Sequence, residues 1–104
     1  MVTMGLAITV HGSQMELNGA VDLQTAPSLH AELMALINAA GPGTLLCVDL
    51  GAVSLLDSNG LSVLLGAHKL AASREIRLTL AALPRHIQRT LKITGLDEVL
   101  HIAR

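Results

Sequence analysis

The stretch from Val48 to Leu65 (VDLGAVSLLDSNGLSVLL) constrains this chain more than any other. It grows out of Leu45–Leu50, a run nearly continuous in apolar residues, as expected of a central strand covered on both faces. A short loop then leads to Asp57-Ser58-Asn59-Gly60, which opens a helix expected over about Asn59 to Ala72. The first turn of such a helix offers unpaired backbone N–H groups and the positive end of a dipole, both favouring negative charge. Ser58 is therefore a credible phosphate acceptor, with helix N–H groups expected to hold the phosphate. A phosphoserine adds about −1.5 to −2 charges beside Asp57. Capping alone also selects Asp, Ser and Asn ahead of an apolar helix. Gly60 in the first turn costs about 1 kcal/mol against Ala, which a close approach by another backbone, a partner or the sheet would justify.

The remaining segments surround this unit with an alternation of strands and helices. Leu6–Val10 and Gln14–Asn18 read as strands joined by a His11-Gly12-Ser13 turn, and Gly19-Ala20-Val21-Asp22 ends the second. Leu29, Leu33, Leu36, Ile37 and Ala40 form one apolar stripe on a helix expected over Ala26 to Ala39. Thr25 is its expected cap, Pro27 suits its first turn, and Gly41-Pro42-Gly43 stops it. Arg77 to Ala81 is a strand, Pro84 to Gly95 a third helix and Glu98 to Ile102 a last strand. On the third helix Ile87 and Leu91 face inward, while Arg85, Arg89 and Lys92 make an outer basic stripe. The order ββαβαβαβ implies an α/β fold: right-handed crossovers and a mixed, mainly parallel sheet with an antiparallel N-terminal hairpin. With 104 residues and no linker or repeat, a single domain over 1–104 is expected. Sites in such sheets gather beyond the carboxyl ends of the strands, where Asp22 and Asp57-Ser58 converge from distant parts of the chain.

Composition excludes several classes of activity. The net charge of −1 argues against a nucleic-acid partner held by a basic field, and the absence of Phe, Trp and Tyr removes any aromatic platform for bases or sugars. No apolar run reaches the roughly 18 residues of a membrane span, and the first residues lack the basic start of a signal peptide, so a cytoplasmic location is expected. The lone Cys47 reads as a small hydrophobe in a strand. His11, His30, His68, His86 and His101 show no metal-ligand spacing, and neither a phosphate-binding glycine loop nor a G-x-S-x-G elbow is present. Asp49 closes an apolar strand as in phospho-aspartate receivers, but the acidic pair and the late lysine of such domains are missing. With few charges and 51% hydrophobic residues, part of the surface is expected to meet a partner.

The run from Val48 to Leu65 resembles the signature of STAS domains, and most of all the anti-sigma factor antagonists, in which an apolar strand and a D-[ST]-x-G-L segment precede the second helix. Asn18-Gly19-Ala20-Val21-Asp22 is similar to the G-E-[LI]-D that precedes their first helix, with Ala20 in place of Glu. Asn59 stands where Ser or Gly is frequent, and Pro84 to Leu96 resembles their third helix. The resemblance implies that Ser58 is phosphorylated by a cognate anti-sigma factor that is itself a serine kinase. Asp22, Asp57, Ser58, Asn59 and Gly60 would then belong to the partner-binding surface. It further implies a partner-switching cycle. Unphosphorylated protein binds the anti-sigma factor and releases a sigma factor, phosphorylation breaks that complex, and a phosphatase restores it. The ATP belongs to the kinase, so the chain would be substrate and regulator, not enzyme. The same family includes constitutive adaptors that dock on the ATPase of membrane-associated lipid-transport complexes. A small hydrolase using Ser58 is a third, less supported reading.

Overall fold

The computed structural model describes residues 5–103. Strands β1 (Leu6–His11) and β2 (Gln14–Val21) are followed by helix α1 (Ala26–Ala39), strand β3 (Leu45–Leu56) and helix α2 (Ser58–Ser73). Strand β4 (Arg77–Ala81), helix α3 (Arg85–Thr94), a 3₁₀ turn (Leu96–Glu98) and strand β5 (His101–Ile102) complete the order. The five strands lie side by side in sequence order, β1 antiparallel to β2 and every later pair parallel. This is the α/β architecture expected from the alternation of elements.

Periodicity explains how the layers meet. Leu29, Leu33 and Ile37 of α1 and Leu64, Ala67 and Ala71 of α2 form buried stripes, and the two helices pack against each other. They meet Met15 and Leu17 of β2, Leu46, Val48 and Leu50 of β3, and Leu78 and Leu80 of β4 in one apolar cluster, which Ile87 and Leu91 of α3 also join. The smallest dimension, 21 Å, fits one sheet layer and one helix layer.

Four local expectations are corrected. The residues after Leu50 are not a loop: β3 continues to Leu56, held by β2 through Val21, with register shifts that bend it. Nor is β3 covered on both faces: Leu45 is exposed and Cys47 and Asp49 are half-buried, because α1 and α2 cover only the face carrying Leu46, Val48 and Leu50. The last strand shrinks to His101–Ile102, since Gly95 at φ 78° turns the chain into a 3₁₀ turn over Leu96–Glu98. Thr25 makes no side-chain cap bond for α1; its hydroxyl donates instead to Ala20 O at 2.8 Å, tying the turn back to β2.

Candidate phosphoacceptor and partner-binding site

Parallel pairing of β2 with β3 aligns Val21 with Leu56, and the Asp57 N–H donates to Val21 O at 3.1 Å. Asp22 and Asp57 therefore leave adjacent strands at the same end of the sheet. Each carboxylate organises the start of the helix that comes after it. Asp22 Oδ1 accepts from the Gln24 and Thr25 N–H groups at 2.9 and 3.1 Å. Asp57 Oδ1 accepts from the Asn59 and Gly60 N–H groups at 2.9 and 3.1 Å, and the Asn59 amide reaches Asp57 Oδ2 at 3.4 Å. Desolvation pushes the Asp57 carboxyl upward. The Gly60 N–H, the Asn59 side chain and N–H, and the Leu23 N–H outweigh it and hold the group below the usual carboxylate range. The Leu23 amide belongs to the other loop, so Asp57 electrostatically joins both halves of the site.

Asp57, not Ser58, is the cap of α2. Ser58 is the first residue of the helix, exposed, and among the described residues its hydroxyl makes no hydrogen bond. The expected N–H cradle for a phosphate is already occupied. Asp57 takes the Asn59 and Gly60 N–H groups through its side chain and the Leu61 N–H through its main chain at 2.9 Å. A phosphate placed on Ser58 would thus project into solvent beside a carboxylate, and exposure, not capping, would let the fold carry it.

Gly60 lies beneath the surface. A Cβ there would stand 2.5 Å from Leu56 Cδ1 and 2.6 Å from Val21 Cγ1, so the missing side chain lets α2 sit on the ends of β2 and β3. Of the five residues singled out from sequence, Asp22, Asp57, Ser58 and Asn59 reach the surface at one end of the sheet, and Gly60 seats the helix that presents them.

Two further residues belong to this surface. Leu23, next to Asp22, is 70% exposed, and Leu55, two residues before Asp57, is 49% exposed. Their signal in the sequence is an apolar residue in a turn between Asp22 and Gln24 and an apolar residue out of the inward parity of its strand. The charge is one-sided as well: no Lys or Arg precedes Lys69, so both loops of the site carry acids without cations. Among the described residues no cluster of three or more His, Cys, Asp or Glu is placed to hold a metal.

A family model described as "Mlab, STAS domain" matches residues 4–102. The chain belongs to the STAS domain family. It is 36% identical over 84 residues to the anti-sigma-B factor antagonist of Listeria monocytogenes, covering 81% of this chain and 72% of the relative. To the anti-sigma-B factor antagonist of Bacillus subtilis it is 33% identical over 90 residues, covering 86% and 80%. An anti-sigma factor antagonist from Mycobacterium paratuberculosis superposes with a TM-score of 0.77 at 25% identity, over 93% of this chain and 82% of the other. This STAS domain is thus similar to antagonists along nearly its whole length. No helix among its described residues is long and apolar enough to cross a membrane.

Proposed function

We propose that this STAS domain is an anti-sigma factor antagonist switched by phosphorylation of Ser58. The observation that carries the reading is the exposed, unbonded Ser58 hydroxyl, at the end of the sheet that also carries the ordered carboxylates of Asp22 and Asp57 and the bare Leu23 and Leu55. Apolar side chains within an acidic rim suit a protein surface that is apolar at its centre and basic at its margin. In the unphosphorylated state the chain binds an anti-sigma factor that is also a serine kinase and so releases a sigma factor. Transfer of a phosphoryl group to the Ser58 hydroxyl breaks the complex, and a phosphatase reverses it. The chain is substrate and regulator, not enzyme, and acts in the cytoplasm. The names of its relatives, the exposure of Ser58 and the acidity around it support this reading.

The magnitude is adequate. Two unit charges about 4 Å apart repel by roughly 4 kcal/mol at an effective dielectric near 20, and solvent screening lowers this. A residual of about 1.4 to 3 kcal/mol weakens binding by roughly 10- to 150-fold. Incubation with ATP and candidate kinase–anti-sigma factors, read by intact mass, tests the assignment: one phosphate is expected on the wild type and none on Ser58→Ala. No gain with any such kinase, together with capture of a transporter ATPase, overturns it in favour of the adaptor reading.

A further inference from the structure

The second half of β3 is a strand with only one neighbour. β4 pairs with Leu45–Asp49 and stops at Ala81, whereas β2 accompanies β3 as far as Leu56. Two features end the ladder on the β4 side. Ala82 adopts a left-handed backbone at φ 57°, unfavourable for a residue with a side chain, and turns the chain out of the sheet ahead of Pro84. Asp49 Oδ1 accepts from the Gly51 N–H at 2.7 Å, so this backbone donor is satisfied within β3 instead of by a neighbouring strand. Beyond it, Ala52, Ser54 and Leu55 are exposed, and no backbone bond joins residues 52–56 to the β4–α3 connection among the described residues. The open edge is about 17 Å long at roughly 3.3 Å per residue. It runs directly into Asp57 and Ser58.

An apolar open edge of this kind templates strand addition, and proteins normally blunt it with Lys, Pro or a covering loop. Neither Lys nor Pro stands between Ala52 and Leu56, where the bulge at Ser54 is the blunting device present. We infer that this edge receives an extended segment of the protein partner as an added strand, placing the partner's chain alongside Ser58. The occupant follows from the chemistry. Unpaired N–H and C=O groups in strand geometry are matched by another main chain, and Leu55 offers an apolar contact. The carboxylates of Asp22, Asp57 and Asp49 favour a segment bearing basic residues toward the Ser58 end of the edge, away from Arg85, which follows the β4–α3 connection. The partner's class rests on the Ser58 reading; the docking mode does not. Together they explain how a phosphate acts as a switch, because charge added at Ser58 falls at the end of the docked strand.

Amide hydrogen exchange resolved residue by residue over residues 52–56 tests this, in the free chain and in complex with purified anti-sigma factors. The amides that point away from β2 should exchange fast in the free chain and slowly in the complex, while those bonded to β2 are protected in both. Protection of the outward amides already present in the free monomer, or a complex that leaves them exchanging freely, overturns the inference. Protection that grows with the concentration of the chain alone overturns it too, since the occupant is then a second copy. Ser54 has no partner in the β2 register, so Ser54→Pro changes the edge at a bulge. Ser54→Pro should weaken the complex at least about tenfold, and Ser54→Ala should leave it unchanged; equal effects refute strand addition. Ser58→Asp separates the two proposals. If it leaves both affinity and protection intact, the phosphorylation reading fails while the docking edge stands.

Discussion

Replacing Gly60 with Ala tests how α2 is seated, and Gly66 of the same helix supplies the control. At Gly60 a Cβ would lie 2.5 Å from Leu56 Cδ1, 2.6 Å from Val21 Cγ1 and 3.1 Å from Val21 Cβ. The Leu56 methyl ends a flexible side chain and can rotate away. Val21 is branched at Cβ and fully buried, so it cannot, and the helix start must lift instead. Overpacking of this kind costs about 1 to 3 kcal/mol, and the helix preference of Ala over Gly returns up to about 1 kcal/mol. At Gly66 nothing lies within 4 Å, so only the favourable part remains. Thermal unfolding followed by circular dichroism should therefore show opposite signs. At about 4 to 8 °C per kcal/mol for a domain of this size, Gly66→Ala should raise Tm by up to roughly 8 °C, and Gly60→Ala, at a net cost of up to about 2 kcal/mol, should lower it by up to roughly 16 °C. Val21→Ala combined with Gly60→Ala should cost less than the sum of the two singles, because truncating Val21 removes the methyl that the new Cβ meets. Equal shifts for Gly60→Ala and Gly66→Ala would refute the close approach and the role assigned to Gly60.

Other consequences are quickly checked. Ser58→Asp should weaken anti-sigma factor binding by roughly 10- to 150-fold in calorimetry while moving Tm by little, since Ser58 is exposed and unbonded; a large loss of Tm would contradict that placement. Leu23→Ser with Leu55→Ser should weaken the same complex without lowering Tm, and unchanged affinity would remove both leucines from the interface. His68 of α2 meets His101 of β5 edge-on at 5.0 Å, and burial, then the charges of His101 and Lys69, push its pKa down. A folded pKa below the unfolded value near 6.5 means stability is full above that pH and falls as pH drops through it toward the folded pKa. Tm should fall from pH 8 to pH 5.5, and His68→Gln should reduce the fall. Burial and then Asp49 push the Cys47 thiol up, so it should react with a disulfide reagent at pH 7 more slowly than free cysteine.

Much of this fold can be read from local pattern, and the departures share one cause. The α1 stripe at Leu29, Leu33 and Ile37, the stop at Gly41-Pro42-Gly43 and the order of elements come from periodicity and turn chemistry, which are local. The extent of β3 is not local. Val53 to Leu56 lack strict alternation and sit beside Asp57, so they read as a loop; β2 makes them a strand through long-range pairing interrupted at Ser54. Cys47 and Asp49 fail to be buried for a similar reason, since only the placement of the helices decides which face of an apolar strand is covered. At the site, the positions of Asp22, Asp57 and Ser58 are legible because parallel strands bring the loops at their carboxyl ends to one edge of the sheet. Which residue caps α2 is legible only in outline, because Asp57, Ser58 and Asn59 all suit the role and geometry selects Asp57. Leu23 and Leu55 show in the sequence only as apolar residues off the inward pattern, and surface exposure is what assigns them to the site, while the open edge of β3 requires the backbone of Ala82.

The division of labour at this end of the sheet would let a phosphate on Ser58 change binding without changing the fold. Asp22 and Asp57 turn one oxygen inward to hold the helix starts, so the structural charges are fixed by main-chain N–H groups. Ser58 contributes nothing to that scaffold. A modification of its hydroxyl removes no hydrogen bond and meets no buried atom. Had Ser58 been the cap, phosphorylation would have rearranged the first turn of α2 and coupled the switch to stability, since loss of a capping hydroxyl costs about 1 kcal/mol. With Asp57 in that place, a charge added at Ser58 would act on a partner docked at this end of the sheet and not on the helix start. An Asp57→Asn variant separates the two functions: the amide oxygen can still accept from the Asn59 and Gly60 N–H groups, while one negative charge leaves the surface. Its Tm should fall only modestly, and phosphorylated Ser58 should then disrupt the complex less completely than in the wild type. Equal disruption in both proteins would show that the Asp57 charge takes no part in the switch.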